Sequence, residues 1–214
     1  MSVDQEIIRF FNFLGSLVCH QRPERTLIVG GNHLPVCARD TGAFIGLFLG
    51  YALVLFLRKK KAKGPPNLYL SLLMMLSLWI DSFGQLFQFW TSTNDVRLIT
   101  GLLFGVVLAT WLIYAFSLSP LRGKIPFMKS LQPEIAVLDD EDSWFDGKAL
   151  FVGIACSSIL FAAIRSVVGS DFALFYWMLS FPIALGIVLH FFVLPLLLLI
   201  AALRKLFFRG SRKK

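Results

Sequence analysis

Charge is scarce in this sequence. Asp, Glu, Lys and Arg make up 16% of its 214 residues, against 57% hydrophobic residues. A water-soluble domain carries about a quarter of its residues as charges, so lipid is the expected solvent for much of the surface. Cysteine is scarcer still: three residues are too few for a disulfide scaffold. Acidic residues are outnumbered 13 to 21, giving a net charge of +8. Such an excess can signal nucleic acid, but here the bases fall in short runs beside apolar segments, the habit of membrane proteins. No nucleic-acid partner is expected. The opening residues Met1-Ser2-Val3-Asp4-Gln5-Glu6 are acidic rather than basic and no small-residue cleavage site follows, so insertion through internal spans is expected.

What is present is long apolar runs. A hydrocarbon core of about 30 Å takes about 20 apolar residues per helix. Runs of that kind predict spans near residues 41–57, 68–90, 98–118, 149–168 and 172–203. The last exceeds one bilayer thickness, and tilt or a kink near Pro182 or Pro195 would absorb the excess. Residues 4–18 place Gln5, Arg9, Asn12 and Ser16 opposite Ile7, Phe11 and Leu14, predicting a short amphipathic helix lying in the interface. Residues 19–40, with Pro23, Pro35 and Gly30-Gly31, read as a structured polar loop. The expected fold class is all-α: one membrane domain, 1–214, built as a bundle of about five transmembrane helices.

Orientation follows from the bases. With the Arg58-Lys59-Lys60-Lys61 end inside, fifteen of the 21 Lys and Arg residues are cytoplasmic. A cell-membrane protein is expected, with the 19–40 loop and the 91–97 link outward. The C-terminus and the 119–147 loop, with its acidic run at 139–142, would face the cytoplasm. Membrane lipids are the expected partners, and a membrane-protein partner or a second copy is compatible with the sequence.

Three groups of polar residues carry chemistry. Cys19, His20, His33, Cys37 and Asp40 offer thiolate, imidazole and carboxylate, the ligand set of zinc, with at most four used. Against the metal stands a Cys19–Cys37 disulfide closing the loop outside the cytoplasm. In the second span Ser77, Asp81 and Gln85 recur every four residues, with Gln88 three further on, and share a helix face. An ionisable group there costs at least a few kcal/mol unless paired or wetted. Asp81 is therefore the candidate catalytic base, or else half of a structural pair with Arg165 or Arg97. Third, Arg22, Arg25, Arg39 and Arg97 form an outward basic ring suited to a phosphate or carboxylate. Gln85 and Asn94 would hold the other groups in place. Cys156 and His190 stand among apolar residues and read as buried packing and hydrogen-bonding groups.

Residues Cys19-His20-Gln21-Arg22-Pro23-Glu24-Arg25 and His33 through Gly42, with Asp81 and Gln85 later, resemble a family of prokaryotic membrane proteins of unknown function. It is the domain-of-unknown-function family numbered two thousand and eighty-five. The resemblance covers about the first half of the chain. The family pattern carries a cysteine where this chain has Asp40. Aspartate is still a competent zinc ligand, so the change preserves a metal site while making it less rich in thiolate.

Three functions fit these residues. The first is a metal-supported site acting on a lipid or lipid-linked phosphate. The second is a non-catalytic structural or partner-binding protein stapled by metal or disulfide. The third is a small transporter using Asp81 as its coupling carboxylate.

Overall fold

The computed structural model describes residues 3–59, 64–118, 132–133, 142–196 and 199. Among these residues lie six α-helices and one hairpin: α1 (Val3–Ser16), β1 (Thr26–Val29), β2 (Asn32–Cys37), α2 (Ala38–Leu57), α3 (Leu68–Leu86), α4 (Asn94–Leu118), α5 (Gly147–Val167) and α6 (Ala173–Ile187). Five are long and apolar enough to cross a membrane, the last counted as Ala173–Leu196. The all-helical expectation holds, with the small sheet added. α1, at 14 residues, reaches only about 21 Å and is too short to span. The acidic run 139–142 falls almost wholly outside the described residues, as does most of the 119–147 loop.

Successive spans run up and down, so the polar connections collect at two ends. At one end lie α1, the hairpin, the 87–93 link and the 168–172 link. At the other, Lys59 N–H donates to Trp144 O at 3.0 Å and Asn67 N–H to Phe145 O at 2.9 Å. Trp144 and Phe145 are fully buried there beneath Tyr114 and Leu150.

The 19–40 segment is more ordered than a loop. Thr26-Leu27-Ile28-Val29 pairs antiparallel with Asn32 through Cys37, Val29 opposite Asn32 and Thr26 opposite Cys37. Gly30 and Gly31 turn the chain at φ +59° and +72°, a conformation that L side chains resist. The signal was in the sequence: two β-branched or apolar runs separated by Gly-Gly mark a two-residue hairpin. Leu27, Val29, Leu34 and Val36 bury one face of it. Gly30 N–H donates to Ser170 O at 2.7 Å and Gly169 N–H to Ile28 O at 2.9 Å, fastening the hairpin across the bundle end. Residues 38–40 are already helix, so Arg39 and Asp40 sit in the first turn of α2 rather than in a loop.

α2 and α4 are parallel neighbours at backbone contact. A Cβ on Gly42 would come within 2.3 Å of Leu98 O, and one on Gly46 within 2.3 Å of Leu102 O. From the other side, a Cβ on Gly101 would meet Arg39 O at 2.1 Å and one on Gly105 Ala43 O at 2.2 Å. Between membrane helices the hydrophobic effect supplies no attraction, so small residues that let backbones touch supply the packing. This contact sets Arg39 and Asp40 beside the start of α4.

In the last span the irregularity follows α6 and precedes Pro195. Residues Val188–Val193 form a π-helical turn, with Leu194 N–H bonded to Leu189 O. His190 lies in that turn, donating to or accepting from Tyr51 Oη at 2.6 Å, with its other nitrogen on Gly186 O at 2.9 Å. It is a satisfied hydrogen-bonder, as its apolar surroundings in the sequence suggested.

Candidate metal and anion site

Cys19 follows α1 directly, its N–H closing the helix on Gly15 O at 2.9 Å. Gln21 adopts φ +48°, and its side-chain amide donates to Asn12 O at 2.6 Å and Pro35 O at 2.7 Å. Left-handed backbone in a residue other than glycine costs about 1 kcal/mol or more and persists only where its surroundings fix it. Here the two amide bonds tie α1, the 19–25 turn and β2 together. Cys37 ends β2 and precedes α2, and Asp40 lies one turn on, where the helix dipole favours a carboxylate.

These elements bring Cys19, Cys37 and Asp40 together, with one ligand atom from each within 4.8 Å of the others. Cys37 N–H donates to Cys19 Sγ at 3.2 Å, and the Cys37 thiol donates to Asp40 Oδ2 at 3.1 Å. Both thiols are free. Neither histidine belongs to the cluster. His20 lines the same cavity, of about 310 Å³, together with Arg22, Arg25 and Arg39. His33 is exposed on β2 opposite Ile28.

The two thiols are electrostatically unequal. Hydrogen bonding with Cys37 holds Cys19 below the ordinary thiol range, against the upward pull of burial. The same contact, with burial and the nearby Asp40 charge, pushes Cys37 far up. A lowered pKa keeps the reactive thiolate at lower pH. In metal-free protein, alkylation of Cys19 by iodoacetamide is therefore expected to rise with a midpoint below that of an ordinary thiol, while Cys37 stays unreactive. Mass-spectrometric mapping across pH reads this directly, and a shared midpoint would show the pair to be uncoupled.

Asp81, 4% exposed, makes an ion pair with Arg39. The partner is neither Arg165, which pairs with Asp95 at 3.0 Å, nor Arg97. Gln85 Nε2 donates to Asp81 Oδ2 at 3.1 Å, and Arg97 Nη2 donates to Gln85 Oε1 at 2.7 Å. Arg97 Nη1 reaches Asn94 Oδ1 at 2.8 Å, and Asn94 Nδ2 reaches Glu24 O at 3.3 Å. A continuous polar chain thus crosses α2, α3 and α4 and ends on the turn that carries Arg25. Ser77 stands apart from it, bonded back to Met74 O within α3.

Asp81 also lies nearer the end of its helix than a span over 68–90 implies. Helix α3 stops at Leu86, so about 7 Å rather than 13 Å of helix follows Asp81. Gln88 turns the chain at φ +60°, and Trp90 folds back against Gly84. The expected arginine ring divides accordingly. Arg22, Arg25 and Arg39 line the first cavity; Arg25 and Arg97 line a second of about 360 Å³ with Gln85, Gln88, Trp90 and Thr91. Gln88 shares the cavity with Gln85, whose helix face the spacing gave it, whereas the fold-back of Trp90 onto Gly84 was not visible in the sequence.

The profile of a family described as a predicted membrane protein, DUF2085, matches residues 19–111. An uncharacterized protein of Methanothermobacter thermautotrophicus is 41% identical over 92 residues, which is 43% of this chain and 81% of the relative. The chain belongs to the DUF2085 family. An uncharacterized protein of Methanocaldococcus jannaschii is 30% identical over 101 residues, 47% of this chain and 65% of that protein. No solved structure matches. The DUF2085 match contains the hairpin, α2, α3, most of α4 and every member of the two polar cavities except Val18.

Proposed function

We propose that this protein holds a divalent metal ion, zinc by its donor set, on Cys19, Cys37 and Asp40, and uses it on a phosphate group carried by a membrane lipid or lipid-linked molecule. The convergence of two thiols and a carboxylate within 4.8 Å, in a cavity walled by three arginines, carries this reading. Two thiolates and a carboxylate bring three negative charges, which a dication and the neighbouring guanidinium groups offset. Three protein donors leave one position of a tetrahedral ion for water, His20 or a substrate oxygen. An ion so held lowers the pKa of bound water and polarises a phosphoryl oxygen. Arg22, Arg25 and Arg39 orient the anion. Asp81 lines neither polar cavity and acts through Arg39, as a positioning residue. The charge asymmetry of the connecting segments supports an outward placement of this face, with the C-terminus in the cytoplasm.

Elemental analysis of the full chain purified in detergent without chelator tests the metal. About one zinc per chain is expected after dialysis, falling to background in Cys37→Ser and sharply in Asp40→Ala. Metal-free protein with an intact mass about 2 Da below the reduced value would instead establish a Cys19–Cys37 disulfide and sink the proposal.

A further inference from the structure

The second polar cavity, between Arg25 and Arg97, has no part in the metal cluster, and its charges are unbalanced. Arg97 is 9% exposed, and among the described residues its guanidinium bonds only to the neutral amides of Gln85 and Asn94. Arg25 is half-buried, and its guanidinium has no ion-pair or side-chain hydrogen-bond partner among the described residues. Of the carboxylates nearby, Asp81 pairs with Arg39 and Asp95 with Arg165, and Glu24, next to Arg25 in the chain, does not line the cavity. Two guanidinium groups therefore face one cavity that no carboxylate lines. Half-buried cations without counterions cost free energy that a bound anion recovers. Thr91 and the amides of Gln85 and Gln88 supply further hydrogen-bonding groups, and the α4 N-terminus beside them adds a favourable dipole.

One wall of this cavity is shared with an apolar slot. The Trp90 ring lies so close to α3 that a Cβ on Gly84 would come within 2.0 Å of it. Trp90 lines the polar cavity and, with Leu76, Trp79, Ile80, Phe83 and Phe89, an adjoining slot of about 560 Å³. Every one of those slot side chains is exposed, Leu76, Trp79, Ile80 and Phe83 on α3 and Phe89 and Trp90 on the link that follows it. A basic cavity at the helix end thus adjoins a hydrocarbon groove running along the helix, with an indole at the junction. Indoles favour that level of the membrane, where one face is apolar and the other wet.

We infer that this pair of cavities binds one anionic phospholipid, its phosphate between Arg25 and Arg97 and an acyl chain along Leu76–Trp90. The inference deepens the function proposed above, on which it rests for its purpose, by naming the substrate class; lipid binding itself needs no metal. Arg25 lines both cavities, so the lipid site and the Cys19–Cys37–Asp40 cavity share one guanidinium group.

Native mass spectrometry of the full chain in detergent tests it, with dioleoyl phosphatidic acid, dioleoyl phosphatidylcholine and inorganic phosphate as probes. Wild type is expected to retain phosphatidic acid at least roughly tenfold better than phosphatidylcholine, the equivalent of one charge-assisted hydrogen bond. Arg25→Gln, which breaks no ion pair or side-chain hydrogen bond among the described residues, should lose most of that preference, and Trp90→Ala should weaken retention of both lipids. Equal retention of the two lipids by wild type, or an unchanged preference in Arg25→Gln, would overturn the inference. So would inorganic phosphate displacing phosphatidic acid at equal concentration, which would make this a free-anion site with no use for the slot. Zinc measured on the same wild-type preparations separates the two proposals. Lipid preference without zinc sinks the metal site alone; zinc without lipid preference sinks this inference alone.

Discussion

Replacing Gly46 with leucine is expected to cost at least about 3 kcal/mol and to lower the unfolding midpoint in detergent by about 10 °C or more. Even a Cβ at this position meets Leu102 O at 2.3 Å, and the flanking atoms are also backbone, which cannot rotate aside. The helices must move apart, and Gly42, Gly101 and Gly105 would lose their contacts together. In lipid nothing replaces those contacts except hydrocarbon chains of similar polarity, so the loss is not recovered by burial elsewhere. The damage should reach the site, because α2 carries Arg39 and Asp40 while α4 carries Arg97. Gly147→Ala is the matched control: its Cβ would meet nothing closer than Asn67 Nδ2 at 3.9 Å. Its unfolding midpoint should stay within about 2 °C of wild type. Equal stability of Gly46→Leu and wild type would remove the α2–α4 contact as the frame of the site.

Asp81→Leu should destabilise by about 3 kcal/mol, because it leaves Arg39 without a counter-charge inside the bundle and strands the Gln85 amide. Arg39 is 23% exposed, which puts the expected cost at the low end of the range for buried pairs. Adding Arg39→Met should recover most of the loss, since an apolar pair of similar volume carries no desolvation penalty. Unfolding midpoints of the two single variants and the double variant give the coupling directly. A stable double variant that also keeps metal but binds no anion would assign the pair to the site rather than to the scaffold. A neutral Asp81→Leu would mean that the ion pair contributes nothing to the fold.

Much of this architecture was legible before any coordinates. Each span needs only enough apolar residues in a row, a local property, and five such runs became five helices, four of them within about four residues of their expected limits, while the expected end of the fifth near 203 lies outside the described residues. The hairpin was legible too, through Gly30-Gly31 between apolar runs, but proline and polarity masked it as a loop. The Gly42-x3-Gly46 and Gly101-x3-Gly105 spacings were equally open to inspection, though which helices they join is not a local question. The two histidines show the reverse. Their chemistry suits a metal, yet His33 faces away from the cluster and His20 reaches only its cavity, because strand alternation and the 19–25 turn decide where side chains point.

The sequence alone determined that this chain has five runs long and apolar enough to cross a membrane and that Cys19, Cys37, Asp81 and the arginines at 22, 25, 39 and 97 fall toward one end of them. Hydrophobic run length and the placement of a few polar residues suffice for that. Only the tertiary structure decided which of them meet. The glycine-lined contact of α2 and α4 set Arg39 within reach of Asp81. The fold-back of Trp90 onto Gly84 opened a second cavity shared between Arg25 and Arg97. Pairings between helices depend on backbone separation and depth in the bundle, which no stretch of sequence records by itself.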